Sequence, residues 1–430
     1  MERYINIAQK ALEALKQAGA DEAQCRLEVT DTEEVQAEAK RFNLMRSYSD
    51  VKLTLTAIKG KRMSEVSITR LNDNSIFAAA EDCIAALAYA QEDRFAGFAM
   101  AENNEDFTRG VLNGKMSPVI GRLIEFALDA DQKYPDIIYE CSGRYMHTYK
   151  VLMNTNDVRF TDENGYYNIS ASFMGTKGAQ TTSFGPGASF TLLEPDVRLI
   201  DYGNTQSEME LAMKLLDPRP AGDKFVGVMI TAPTLTAELF DMLTKIALTD
   251  APVTAGTSRF SGRLGERVAN DRLTFSFAPL SKGMVAGERF TSDGYAAHNC
   301  TPIKEGVLRE YMLSRHGAEM SGLKRAKNSG GSMVIKAGSA ALDEIIASVE
   351  HGVLVGRYSG TVPDVSGELS GVAKNSFLIK HGKIVCPVVE TMISGNLFDM
   401  LCSVRAVSKD VRADGESVLP YMAFEGITIK

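Results

Sequence analysis

The side chains best suited to holding a catalytic metal are five histidines, at 147, 298, 316, 351 and 381, and they do not converge locally. The nearest two, His298 and His316, stand 18 residues apart, whereas zinc hydrolases commonly show two imidazole ligands one turn apart on a helix. Each histidine therefore reads as a surface or hydrogen-bonded structural residue. The six cysteines, at 25, 83, 141, 300, 386 and 402, have no CxxC or other metal-like spacing, the pattern of reduced thiols in a cytoplasmic protein, most of them small core residues. A nucleophile elbow of GxSxG type is missing, and Gly185-Pro186-Gly187 reads as a turn. The run from Gly110 to Ser117, GVLNGKMS, spaces its glycines wrongly for a phosphate loop. Lys324, Arg325 and Lys327 follow Glu305, Glu310 and Glu319 without interleaved aromatics, which describes a solvated loop rather than a nucleic-acid site.

The elements that would position any site are those of an α+β protein. Its 430 residues are 44% hydrophobic and 24% charged, a composition that folds into two or three domains with sizeable cores. Lys and Arg number 47 against 55 Asp and Glu, a net charge of −8, so no global basic field draws nucleic acid or an acidic membrane. The charged N-terminus does not read as a signal peptide, and no window approaches the ~20 apolar residues of a membrane span.

Tyr4, Ile5, Ala8, Ala11, Leu12 and Leu15 form one helical stripe that ends at Gly19. Residues 53–69 alternate around Lys59-Gly60 as a hairpin, and 73–91 return to helical spacing. The polar stretch 101–115 suits an exposed loop. Ser117 and Pro118 read as N-cap and first position of the next helix. Val158 to Ala171 suggest a second hairpin turning at Asn164-Gly165, and 207–217 a short helix. The run DPRPAGDK at 217–224 has the composition of a linker, which divides the chain into a domain at 1–220, with helices on a mostly antiparallel sheet, and a largely β domain at 221–430. In the second, a strand leads into a helix at 233–248, and a further helix at 340–351 ends at Gly352. Ser394-Gly395-Asn396 reads as a turn.

Five blocks in order, TSRFSGRLGERVAN (257–270), MVIKAGSAALDEIIASVEHGVLV (333–355), HGKIVCPV (381–388), ISGNLFDML (393–401) and DGESVLP (414–420), resemble the TldD/PmbA family, first called modulator of DNA gyrase. The opening ALEALKQAGADEAQ (11–24) is similar to that family's first helix and turn. The resemblance implies a two-domain fold and two subunit types that assemble into a peptidase, one carrying a zinc-binding HExxxH helix and a sister, PmbA or TldE type, without it. Counted back from TSRFSG without gaps, the motif falls on Asp241 to Ile246, placing Asp241, Met242 and Ile246 at the ligand and general-base positions; alignment on DGES places Val411 where the catalytic type has a C-terminal cysteine.

Met242 and Ile246 join Leu235, Leu239 and Leu243 in an apolar helix stripe, and neither can act as base or donate a lone pair to zinc as imidazole does. The chain thus reads as a metal-free, non-catalytic subunit with no cofactor of its own, zinc being expected in an HExxxH-bearing paralogous partner with which it would enclose a flexible peptide as a heterodimer. The alternatives are a stand-alone structural or regulatory homodimer acting on a topoisomerase, and a hydrolase whose site lies outside the family motif. Direct nucleic-acid or membrane binding is not expected.

Overall fold

In the computed structural model every residue is described except 39, 40, 102, 103, 183, 184, 186 and 390. The first helix, α1 (Glu2–Gln17), buries Ala8, Ala11, Leu12 and Leu15, and Gly19 then turns the chain at φ +102, a conformation that suits glycine. Strands β1 (Glu22–Glu38), β2 (Arg41–Lys59) and β3 (Arg62–Ile68) follow. The β2–β3 hairpin turns through Gly60 and Lys61, both at positive φ, as the sequence around Lys59-Gly60 predicts. Asn72 caps α2 (Asp73–Ala86) by accepting the Ser75 amide at 3.0 Å. Then come β4 (Glu105–Gly110), α3 (Met116–Lys133), β5 (Ile137–Asn154), β6 (Arg159–Lys177), the short β7 (Gln180–Thr181), β8 (Gly187–Leu192) and α4 (Thr205–Lys214). The sheet order is β3-β2-β1-β5-β6-β4, with β7 and β8 also on β6.

Three local expectations change here. Asn164 and Gly165 lie inside β6, opposite Thr148 and His147 of β5, and the actual turn falls at 155–158. Gly165 is small because a Cβ would overlap the Val111 carbonyl, a demand of close backbone approach rather than of a turn. The 101–115 stretch, whose residues 102 and 103 lie outside those described, contains β4, parallel to β6. Its polar side chains are engaged: Arg109 makes two bonds to Asp162, at 2.9 and 2.8 Å, and Asp106 receives Thr161 and Arg159. The helix α3 begins at Met116, with Lys115 at its N-cap, so Ser117 and Pro118 sit within the first turn. The turn expected at Gly185-Pro186-Gly187 rests on Pro186, which lies outside the described residues.

One face of this sheet is apolar. The odd residues of β1 place Cys25, Leu27 and Val29 under α1 and α2, and Val35 and Ala37 in a second cluster with α3 and α4. The other face is polar and runs in cross-strand rows: Glu34, Arg144, Asn168 and Thr191, and beside them Gln36, Ser142, Ser170 and Ser189. Directly opposed residues share a face, so period-two alternation produces both surfaces at once.

The second half begins with β9 (Phe225–Thr231) and α5 (Pro233–Leu243), whose last turn widens to a π-helix over Thr244–Leu248 before α6 (Asp250–Thr254). After β10 (Phe275–Phe277), β11 (Cys300–Lys304), β12 (Val307–Leu308), α7 (Arg315–Ser321), β13 (Met333–Ile335) and α8 (Leu342–Ala347) come β14 (His351–Gly360), β15 (Glu368–Lys380), β16 (Lys383–Val388), β17 (Thr391–Asn396), α9 (Leu397–Cys402), β18 (Val404–Ala413) and β19 (Val418–Ile429). Because β9 pairs with both β14 and β19, the run β19-β17-β15-β14-β9 closes into a barrel, which removes free edges from those strands. The α+β architecture expected from sequence is therefore present in both halves. Gly352 does not end a helix; α8 stops at Ala347, and Gly352 packs in β14 against the Val228 carbonyl. Ser394 and Gly395 are strand residues, and Asn396 caps α9 by accepting the Phe398 amide.

Candidate functional site

The helix on which the sequence count places the HExxxH position is a packing element. Leu235, Leu239 and Leu243 are each 1% exposed and Ile246 is 8% exposed in the large core of the second half, against which Met242 also packs. Asp241 points outward and is held by Lys245 at 2.6 Å, with both side chains well exposed. Val411 is exposed on β18, opposite Pro420. These side chains do not fit a zinc ion: one carboxylate already engaged by an ammonium, a thioether and two hydrocarbons offer no tetrahedral set. Among the described residues, no group of three or more His, Cys, Asp or Glu is arranged to hold a metal.

The histidines are dispersed. His147 lies 3.0 Å from Glu163 and 3.1 Å from the Tyr149 hydroxyl, His316 bonds Asp93 at 2.6 Å across the two halves, and His381 pairs with Glu350. His351 stacks on Phe225. Four cysteines are buried and two are not, and burial pushes the thiols of Cys25, Cys141 and Cys300 up to about 12, which makes them inert packing groups. Arg325 of the basic run lies over the Tyr295 ring, 3.8 Å from its centroid, and within 3.5 Å of Asp293, while Lys324 and Lys327 are exposed.

A cavity of about 840 Å³ lies between the polar face of the first sheet and the second half. Ser142, Ser170 and Ser189 form its floor; α4 supplies Glu208 and Lys214; the start of α5, with Ala232 and Thr234, and Arg412 and Tyr421 from β18 and β19 close the far wall. None of Asp241, Met242, Ile246 and Val411 is among its lining residues. Arg412 joins the halves: it donates to Thr234 Oγ1 at 2.8 Å and to the Ser189 carbonyl at 3.4 Å. Beside it the DGES turn clamps the edge of β8, where the Thr191 amide donates to the Asp414 carbonyl at 2.7 Å and the Thr191 hydroxyl to Glu416 at 2.8 Å. Gly415 has φ +86, and a Cβ there would overlap the Thr191 carbonyl. Arg109 anchors a second tie, donating at 2.6 Å to the Val285 carbonyl, whose own amide reaches Gly415.

Within the cavity, burial raises the Glu208 carboxyl to about 7, against the opposing pull of its Asn204 hydrogen bond and of Arg412, and burial lifts Tyr421 to about 12. Glu34 on the adjoining row is held below the usual carboxylate range by Arg144 and Arg46, each 2.7 Å away, which overcome its desolvation. The chamber can therefore hold a neutral carboxyl beside a fixed guanidinium over a floor of hydroxyls. Sequence reasoning missed Glu208, Arg412 and Tyr421. The one available signal was Arg412, separated from DGES only by Ala413; Glu208 looks like any acid in the first turn of a helix.

Residues 227–430 match the family described as "PmbA/TldA metallopeptidase C-terminal domain". The metalloprotease PmbA of Escherichia coli O157:H7 is 30% identical over 172 residues, 38% of each chain. The chain spans between 36% and 52% of the length of the first curated relatives it matches. Among solved structures, TldE from Thermococcus kodakarensis has a TM-score of 0.82 at 17% identity, covering 98% of this chain and 99% of its own. A protein titled as a proposed modulator of DNA gyrase, from Bacteroides thetaiotaomicron, likewise has a TM-score of 0.82 at 21% identity, with coverage of 100% and 99%. These likenesses show a shared fold along nearly the whole chain.

Proposed function

We propose that this chain, whose residues 227–430 match the PmbA/TldA metallopeptidase C-terminal domain and whose whole length shares the fold of TldE from Thermococcus kodakarensis, belongs to the PmbA/TldD family and is the non-catalytic, metal-free subunit of a zinc metallopeptidase complex. It pairs with an HExxxH-bearing paralogue and helps enclose an unfolded peptide. The division into units 1–220 and 221–430 belongs to this reading, with the cavity at their junction.

One observation carries it: the helix aligned with the zinc motif turns Met242 and Ile246 into the core and leaves only Asp241, bound to Lys245, at the surface. A helix that meets its packing demand with the would-be ligand positions has no ring nitrogen to give a metal. The likeness in fold to a protein called TldE supports the subunit type. The four altered positions, taken together, weigh more than a single substitution would.

The test is affinity purification of this chain from its native cell, with elemental analysis of what co-elutes. The proposal expects zinc to follow a second chain that carries HExxxH, and this chain alone to be zinc-poor. About one tightly held zinc per chain in the isolated protein, surviving mild chelation, would overturn it. So would co-elution of a topoisomerase without a peptidase subunit.

A further inference from the structure

The acidic chain carries a concentrated basic groove on the side of the second half formed by the ends of β10, β11 and β13. Its volume is about 790 Å³, and six cationic residues line it, Arg267, Arg272, Lys304, Arg309, Lys336 and Arg405, against two carboxylates, Asp271 and Glu305. In a protein with a net charge of −8, this leaves the rest of the surface more acidic still.

The cations are not spent on one another's partners. Lys304, Arg309 and Lys336 are exposed and make no ion pair among the described residues. The Arg267 side chain donates to the backbone carbonyls of Ala269 and Glu305 and makes no ion pair among the described residues. Arg405 is neutralised by Glu425 at 2.8 Å, and Arg272 lies 3.9 Å from Asp271. Four cations without an ion pair among the described residues therefore line the groove, against the carboxylate of Glu305, and like charges sharing one concave surface reinforce one another's field. Backbone bonds fix the spacing: the Lys336 amide donates to the Thr274 carbonyl at 3.0 Å and the Arg309 amide to the Pro302 carbonyl at 2.7 Å. The remaining wall is the exposed run Ala337-Gly338-Ser339. Gly338 must be small because a Cβ would overlap the Val407 carbonyl, and this small-residue wall lets an extended backbone lie close.

We propose that this groove is a docking surface for an acidic polypeptide segment, bound in extended form with its carboxylates on Lys304, Arg309 and Lys336. Nucleic acid fits it less well. Among the described residues, no aromatic side chain lines the groove to stack a base, and a duplex long enough to gain from counterion release would overrun it onto the acidic remainder of the surface. Asp271 and Glu305 at the rim repel a continuous phosphate backbone, but a peptide whose carboxylates are intermittent can avoid them. The inference is independent of whether this chain has a catalytic partner.

The test uses the full-length chain and a fluorescein-labelled octaglutamate peptide, read by anisotropy at low salt. Octalysine, a 20-nucleotide single strand and a 20-base-pair duplex serve as competing probes. The triple substitution Lys304→Glu, Arg309→Glu and Lys336→Glu is compared with a control of equal charge change placed elsewhere, Lys16→Glu, Lys52→Glu and Lys177→Glu. The expected result is that octaglutamate binds wild type and the control alike, and at least about tenfold more weakly to the groove variant. A neutral version, Lys304→Gln, Arg309→Gln and Lys336→Gln, gives a smaller loss and checks that binding follows charge rather than folding. Equal weakening in groove variant and control, tighter binding of either oligonucleotide than of octaglutamate, or no binding of octaglutamate at all would each overturn the proposal.

Discussion

Restoring the letters HExxxH to α5, by Asp241→His, Met242→Glu and Ile246→His, should yield a less stable protein and no peptidase. The magnitude is set mainly by Ile246, which is 8% exposed in the large core. Removing a buried branched hydrocarbon forfeits about 1.5–3 kcal/mol of transfer free energy, and an imidazole nitrogen left without a partner in that core costs about 1–3 kcal/mol more. The expected loss for Ile246→His alone is thus about 2.5–6 kcal/mol, a large part of a typical domain stability. Asp241→Ala should cost no more than about 0.5 kcal/mol, because its bond to Lys245 joins two well-exposed side chains. Thermal unfolding of the single variants measures both numbers. Zinc content after gel filtration and cleavage of an unstructured peptide with added zinc then test the triple variant, where a third ligand and the groups that orient ligands would still be missing. An unchanged melting temperature for Ile246→His would refute the packing argument. Zinc-dependent turnover by the triple variant without any partner chain would refute the assignment of the helix.

Two further outcomes concern the junction of the halves. Burial raises Glu208 to about 7, so between pH ~4.5 and ~7 the folded chain holds a proton that the unfolded chain releases; stability falls as pH rises through that window, by up to about 3 kcal/mol. Glu208→Gln should remove this slope and be more stable than wild type at pH 8, and parallel urea midpoints for the two proteins at pH 5 and 8 would contradict it. Gly415→Ala combines a left-handed backbone position with overlap on the Thr191 carbonyl, for an expected cost of about 2–4 kcal/mol; an unaltered unfolding midpoint would show that the DGES turn does not clamp β8.

Sequence periodicity was most informative where one side of an element is apolar. The stripe of α1, the Lys59-Gly60 hairpin and the apolar side of α5 are all read from spacing, because burial of one face dictates residue type there. It misled where glycine or asparagine had a tertiary reason to be present. Asn164-Gly165 has the composition of a primed turn, yet Gly165 is dictated by the Val111 carbonyl of a chain segment more than fifty residues earlier. Gly352 likewise answers to Val228 across a parallel pairing. The strand β4 escaped notice for a related reason: its polar residues satisfy buried Asp162 and exposed Arg159, contacts that leave no apolar alternation behind.

The cavity was illegible for a different reason. Polar residues alternating with apolar ones along β1, β5 and β6 specify a sheet with one wet face, and the same alternation results whether that face meets bulk water or a chamber closed by another part of the chain. What distinguishes the two is the pairing of Thr191 with Asp414 and of Arg412 with Ser189, contacts more than two hundred residues apart in sequence. The DGES block that resembles the TldD/PmbA family is therefore also the turn that shuts the chamber. The apolar helix α5 and the clamp answer to separate constraints, one to the core of the barrel half and the other to the seam between sheets. On the proposed reading, a helix without metal ligands leaves the enclosing architecture standing, which is the property that a subunit contributing walls rather than chemistry requires.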